Sequence, residues 1–258
     1  MKIMKFNING VEKTGLLEGD NVLELSWSVI EALNSPSNLK FKKDSIYKLE
    51  EIKIETPIKP SKIVCVGLNY KDHAQELNMD IPDEPILFLK PSSAVIGHLD
   101  DIIYPNSSIQ LDYEAEIGIV ISKDAKNVKI SNADEYIGGY VSFNDVTARD
   151  LQKKDGQWTR AKSFDTFAPI GPCIETELDP LNQKISLRLN NKIKQDSNTK
   201  NMIFNVYELV EFISNIMTLY PGDVIATGTP PGVGPMKVGD IVDVEVEEIG
   251  VLRNFVIK

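Results

Sequence analysis

The chain has 258 residues, 42% hydrophobic and 26% charged, enough for a substantial buried core in one main domain and a smaller one. Its formal net charge of −10 argues against nucleic acid or an anionic membrane surface as partner, since neither would gain Coulomb attraction or counterion release. No apolar run has the length of a signal-peptide core or a membrane span, so a cytoplasmic protein is expected. Cys65 and Cys173, far apart in apolar surroundings, read as buried thiols.

Residues 1–58 read as a small β-rich lobe. Its alternating runs, Ile3 to Ile8 and Val22 to Leu25, are broken at Asn9-Gly10 and Gly19-Asp20, dipeptides suited to hairpin turns. Pro57 and Pro60 interrupt regular structure and mark the boundary to a larger domain, residues 59–258. Lys62 to Val66 reads as a buried strand. After a Gly67-Leu68-Asn69 turn, Asn69 to Leu77 reads as a short helix carrying His73 and Glu76 on one face. Near the positive end of that helix the imidazole would stay neutral and accept protons, as a general base must. The competing reading is an exposed pair on a wet helix.

In LDYEAEIGIVIS, Ala115, Ile117, Ile119 and Ile121 alternate with Glu114, Glu116, Gly118 and Val120, the period of a strand. Two carboxylates then point the same way, roughly 7 Å apart along the strand. Asp145 ends another strand-like run, Tyr140 to Phe143. If the three acids converge, their repulsion calls for a cation, and an all-oxygen set suits Mg²⁺, Mn²⁺ or Ca²⁺ better than zinc. Alternating acids are also the ordinary wet face of a half-buried strand, and Asp243, Glu245 and Glu247, between Val242, Val244 and Val246, read as such a face.

Arg149 and Gln152, three apart on a helix-like stretch, suit a substrate carboxylate or a plain surface. Lys162, in TRAKSFDTFAP, is either a solvated lysine or a charge beside a developing enolate. The loop TGTPPGVGP lacks the spacing of a phosphate loop, and its Thr229 could offer a hydroxyl and an amide to an anion. His98 reads as structural. Asn205 to Leu219 is the clearest helix, with Glu208 at capping-box spacing from Asn205 and Pro221-Gly222 as the stop. Val224 to Ala226, Ile241 to Val246 and Val251 to Ile257 read as strands. Many short strands and few helices predict a β-rich α+β fold.

Six ordered blocks, VGLNYKDHAQEL, PILFLKPSSAVIG, DYEAEIGIVI, GGYVSFNDVTARDLQ, AKSFDTFAPIGP and ATGTPPGVGPMKVGD, resemble the fumarylacetoacetate hydrolase family over about Lys62 to Asp240. The resemblance implies a mixed β-roll and a homodimer. It puts a Mg²⁺ or Mn²⁺ site on Glu114, Glu116 and Asp145 and catalytic roles on His73, Glu76 and Lys162. Substrate contacts would fall on Tyr70, Arg149, Gln152 and Thr229. Such a site would act on a 2-oxo or β-diketo acid through a metal-stabilised enolate, with acylpyruvate-type hydrolysis or oxaloacetate decarboxylation leading. Ketoenol tautomerisation or isomerisation comes next, dehydration of a 3-deoxy-2-oxo sugar acid stays possible, and a metal or carboxylate binder without turnover is the non-enzymatic alternative. The segment from His73 to Pro85 is expected to act as a lid over the substrate.

Overall fold

Asn9 and Gly10 both take positive φ, 53° and 80°, and close Lys2–Ile8 onto Val11–Glu18 with Ile8 opposite Val11. This is the two-residue turn whose twist matches paired strands. Gly19, at φ 57°, makes the next tight turn and sets Glu18 opposite Asn21. The computed structural model describes all residues, Met1–Lys258.

The lobe is not sealed off from the rest of the chain. Lys2–Ile8 pairs with Ala168–Glu175, placing Ile3 opposite Ile174. One twelve-stranded sheet therefore crosses the proline-marked boundary. From the lobe it runs through Ala168–Glu175, Ile137–Asn144, Ala115–Ile121, Val224–Ala226 and Lys62–Val66 to Leu87–Pro91. Most pairs are antiparallel, but Val224–Ala226 lies parallel to Lys62–Val66. A five-stranded sheet, from Lys192–Asn198 through Lys184–Leu189, Ile241–Val246 and Gly250–Ile257 to Asp101–Ile103, packs on its face. A small sheet joins Leu111–Tyr113 to Thr147–Ala148 and Gly234–Met236. The β-rich α+β expectation holds, with the mixed sheets of a β-roll.

Ala115–Ile121 is central to both layers. Ile117, Ile119 and Ile121 join the cluster that holds Leu187, Val244 and Leu252 of the second sheet. Val120 faces the other way, into a cluster with Ile63, Val141, Phe143 and Val224. All seven residues are buried, so the alternation of this strand does not mark a wet face. The acidic run near the C-terminus departs from expectation as well. Asp243 is 4% exposed, because Arg253 stands opposite it in register and donates to its carboxylate from Nε and Nη2 at 2.7 Å each. Glu245 takes Arg188 Nη1 at 2.6 Å, and Glu247 is exposed as predicted.

Asn205 caps Val206–Ile216: its Oδ1 accepts from the N–H groups of Tyr207 and Glu208, and Glu208 accepts from Asn205 N–H at 2.7 Å. The helix stops three residues short of Leu219, because Leu219 forms a backbone bridge with Ala125 instead. Replacing Asn205 with alanine should cost about 1 kcal/mol, a fall in Tm of roughly 2–4 °C for a chain of this size. An unchanged thermal midpoint would show that packing alone holds the helix. Cys65 and Cys173 are buried free thiols. His98 accepts from Arg253 N–H, and its pKa is lowered first by burial and then by the Arg253 charge, in keeping with a structural role. No helix is long and apolar enough to cross a membrane.

Candidate active site

Strand register brings the three acids together. Ala115 lies opposite Asn144, which sets Glu114 beside Asp145 across the pair. Asp145 N–H donates to the Glu114 carbonyl at 2.9 Å, and Asn144 Oδ1 accepts from Glu114 N–H at 3.0 Å. One carboxylate oxygen from each of Glu114, Glu116 and Asp145 lies within 4.8 Å of the others, and all three side chains are buried.

Three cations surround this group. Lys162 Nζ donates to Glu114 Oε2 at 2.9 Å and Asp145 Oδ2 at 2.6 Å. Arg149 donates from Nη2 to Glu114, from Nε to Asp112 at 2.8 Å and from Nη1 to Gln152 at 2.7 Å. Lys90, wholly buried, donates to Asp145 Oδ1 and to the Val146 carbonyl at 3.0 Å. Burial alone would raise the Glu114 carboxyl, but the Lys162 and Arg149 charges outweigh it and hold the pKa down at about 2. Burial of Lys162 acts to lower its pKa, yet Asp145 and Glu114 outweigh this and hold the ammonium above its ordinary range.

Glu116 is the exception. Its one hydrogen bond comes from Gly228 N–H at 2.8 Å, and no cation pairs with it. Burial first, then the charges of Asp145 and Glu114, push its pKa well above the ordinary carboxylate range. A buried carboxylate in this position is neutralised either by a proton or by a metal, and the all-oxygen donor set fits Mg²⁺ or Mn²⁺.

The helix Lys71–Glu76 brings the predicted base to the same cavity. Asn69 secures its start: Nδ2 donates to the Phe204 and Thr227 carbonyls, and Oδ1 accepts from Phe204 N–H. His73 Nδ1 and Glu76 Oε2 are 2.8 Å apart, and Gly232 N–H donates to the Glu76 carboxylate at 3.1 and 3.3 Å. The cavity, about 380 Å³, is lined by the three acids, His73 and Lys162. Arg149, Gln152 and Thr229 line it too. Glu76 stands behind His73. Tyr70 does not line the cavity: it is fully buried and its backbone bridges to Met202, but its hydroxyl, left without a hydrogen-bond partner, lies near enough to Glu116 that this charge, after burial, raises its pKa. The Thr229 hydroxyl donates to the Ala115 carbonyl at 2.8 Å and accepts from Gln195, which ties the glycine-proline loop to the acidic strand.

A model of the fumarylacetoacetate (FAA) hydrolase C-terminal family matches residues 62–257. The chain belongs to that family. Among FAA hydrolase relatives, the oxaloacetate tautomerase Fahd2a of Rattus norvegicus mitochondria is 46% identical over 210 residues, 77% of this chain and 67% of that protein. The 2-hydroxyhepta-2,4-diene-1,7-dioate isomerase of Mycobacterium marinum superposes with a TM-score of 0.90 at 37% identity, over 100% of this chain and 98% of that one. The maleylpyruvate hydrolase of Sphingobium sp. SYK-6, solved with manganese(II) and pyruvate, gives 0.82 at 26% identity over 100% and 99%. FAA hydrolase family members are thus tautomerases, isomerases and hydrolases on one fold.

Two residues of the site escape sequence reasoning. Lys90 had a signal, a lone lysine in the apolar run PILFLK. Gln195 had none. It comes from the second sheet, accepts from Ala115 N–H at 2.9 Å and donates to Thr229 Oγ1 and the Pro230 carbonyl.

Proposed function

We propose that this FAA hydrolase family protein is a divalent-metal-dependent enzyme of 2-oxo acids whose core step is proton removal from C3. The observation that carries the reading is a buried acidic triad sharing one cavity with a carboxylate-held histidine. Glu114, Glu116 and Asp145 would hold Mg²⁺ or Mn²⁺, which supplies Lewis-acid charge stabilisation at the oxygens of the bound 2-oxo acid.

The chain's own groups supply the rest. With its Nδ1–H donated to Glu76, His73 keeps Nε2 free to take a proton, and Glu76 stabilises the imidazolium that results. Lys162 places a permanent positive charge where electron density grows. Arg149, fixed by Asp112 and Gln152, presents its remaining N–H groups to the substrate carboxylate. The proton abstracted from C3 can return to the carbon or to the oxygen, which is tautomerisation, the activity named for the rat relative. A second reading, hydrolysis of an acylpyruvate to pyruvate and a carboxylic acid, is favoured by the dyad itself, because a His–carboxylate pair is equipped to activate water.

Turnover of acetylpyruvate and of enol-oxaloacetate, each with and without Mg²⁺, separates the two readings. In either case His73→Ala should lower metal-dependent turnover by about 10²–10⁴-fold while leaving metal affinity close to wild type. Undiminished turnover in that variant would place the base elsewhere.

A further inference from the structure

We infer that Lys153 sets the specificity of the site, by taking the distal carboxylate of a 2-oxo acid that carries two. The inference rests on the 2-oxo acid reading above and names the group that reads the far end of the substrate.

The helix Arg149–Asp155 is fixed in rotation by Leu151, which is buried in the main core cluster. At about 100° per residue, Arg149, Gln152 and Lys153 share the opposite side of the helix. All three line the cavity. Arg149 is the inner member, tied to Asp112 and Glu114 beside the acidic triad. Lys153 stands about one turn further along, roughly 6 Å of rise, and is exposed at the mouth. One helix face thus offers a cation to each end of a short diacid.

What Lys153 lacks is an acid of its own. Arg149 and Lys162 are held by Asp112, Glu114 and Asp145, and His73 by Glu76. The acids on the helix itself are engaged elsewhere: Asp150 accepts from Ser108 Oγ at 2.6 Å and Ile109 N–H at 3.2 Å, and Asp155 accepts from Arg160 Nε at 2.7 Å. Lys153 is therefore the lining cation that no carboxylate of the protein holds. The wall around it is apolar. Phe88 and Trp158 meet edge-on with ring centroids 5.2 Å apart, and Trp158 and Ile86 both pack against Gly67. Such a wall accommodates the carbons of a substrate chain and offers a carboxylate nothing, which leaves Lys153 as its partner.

A lysine in the last turn of a helix also complements the helix dipole without any ligand. Lys154 separates the two roles: it shares that turn and is exposed too, but does not line the cavity.

Calorimetric titration of the full chain in Mg²⁺ with 2-oxoglutarate and 2-oxopentanoate, which match in chain length and differ by the second carboxylate, tests this. Lys153→Met should weaken 2-oxoglutarate by about three- to fivefold, the scale of one solvent-exposed ion pair, and Lys153→Glu by about tenfold. Lys153→Arg should keep wild-type affinity, and 2-oxopentanoate should bind every form alike. The loss should fade as salt is raised, because the mouth is wet. Exposed side chains without partners can be changed with little effect on folding, so the variants remain readable. Equal weakening of both ligands in Lys153→Glu, unchanged 2-oxoglutarate affinity in it, or the same effect from Lys154→Glu would overturn the inference while 2-oxopentanoate binding stands. Failure of wild type to bind 2-oxopentanoate would instead remove the 2-oxo acid reading, and this inference with it.

Discussion

Glu116→Gln should abolish metal-dependent turnover, by about 10³-fold or more, since an interaction at the developing charge is usually among the largest catalytic contributions. The side chain keeps its shape and its contact with Gly228 N–H but loses the charge that a divalent cation needs. Because ligation requires the deprotonated carboxylate, and burial with Asp145 and Glu114 raises the Glu116 pKa, metal affinity in wild type should fall as pH is lowered through that raised value. The glutamine variant should lose this pH dependence along with its affinity. Isothermal titration with Mn²⁺ across a pH series reads both. Wild-type affinity and undiminished turnover in Glu116→Gln would remove Glu116 from the ligand set.

The second large effect concerns stability. Lys90 is wholly buried, and its two acceptors are Asp145 Oδ1 and the Val146 carbonyl. Lys90→Met keeps the bulk of the side chain but leaves Asp145 with Lys162 as its only cation and one buried carbonyl unpaired. Breaking a buried pair from one side typically costs ~3–5 kcal/mol, a fall in Tm of roughly 10 °C for a chain of this length. Near-UV dichroism and calorimetry would follow it. Divalent metal should restore part of the loss by supplying positive charge to the same carboxylate. A midpoint unchanged in the variant would mean that Lys90 contributes no net charge compensation.

The local chemistry of the fold was legible where it depends on neighbours in sequence. Asn9-Gly10 demanded its hairpin, and Asn205 with Glu208 announced the helix they cap. The end of that helix was not legible, because Leu219 is diverted by a backbone partner at Ala125, far away in sequence. The two acidic runs show the same limit. Glu114 and Glu116 have the same alternation as Asp243, Glu245 and Glu247, and only the motif blocks around them separated the two. What distinguishes them physically is their partners: Arg253 compensates Asp243, while no cation forms an ion pair with Glu116. Tyr70, assigned to substrate by resemblance, does not line the cavity, and its buried, unpartnered hydroxyl stands within reach of the Glu116 charge, a placement that no local pattern encodes. Gln195 reaches the site from another sheet, a placement no local pattern encodes. The link between the lobe and the main sheet through Ile3 and Ile174 is likewise a matter of long-range pairing.

Proton removal at C3 is the claim on which the functional account turns, and it can be seen without knowing the physiological substrate. In D₂O with Mg²⁺, proton NMR of 2-oxobutanoate should show C3 deuteration by the wild-type protein well above the protein-free rate, with the excess lost in His73→Ala and Glu116→Gln. Exchange no faster than in buffer, or exchange that both variants retain in full, would contradict the account.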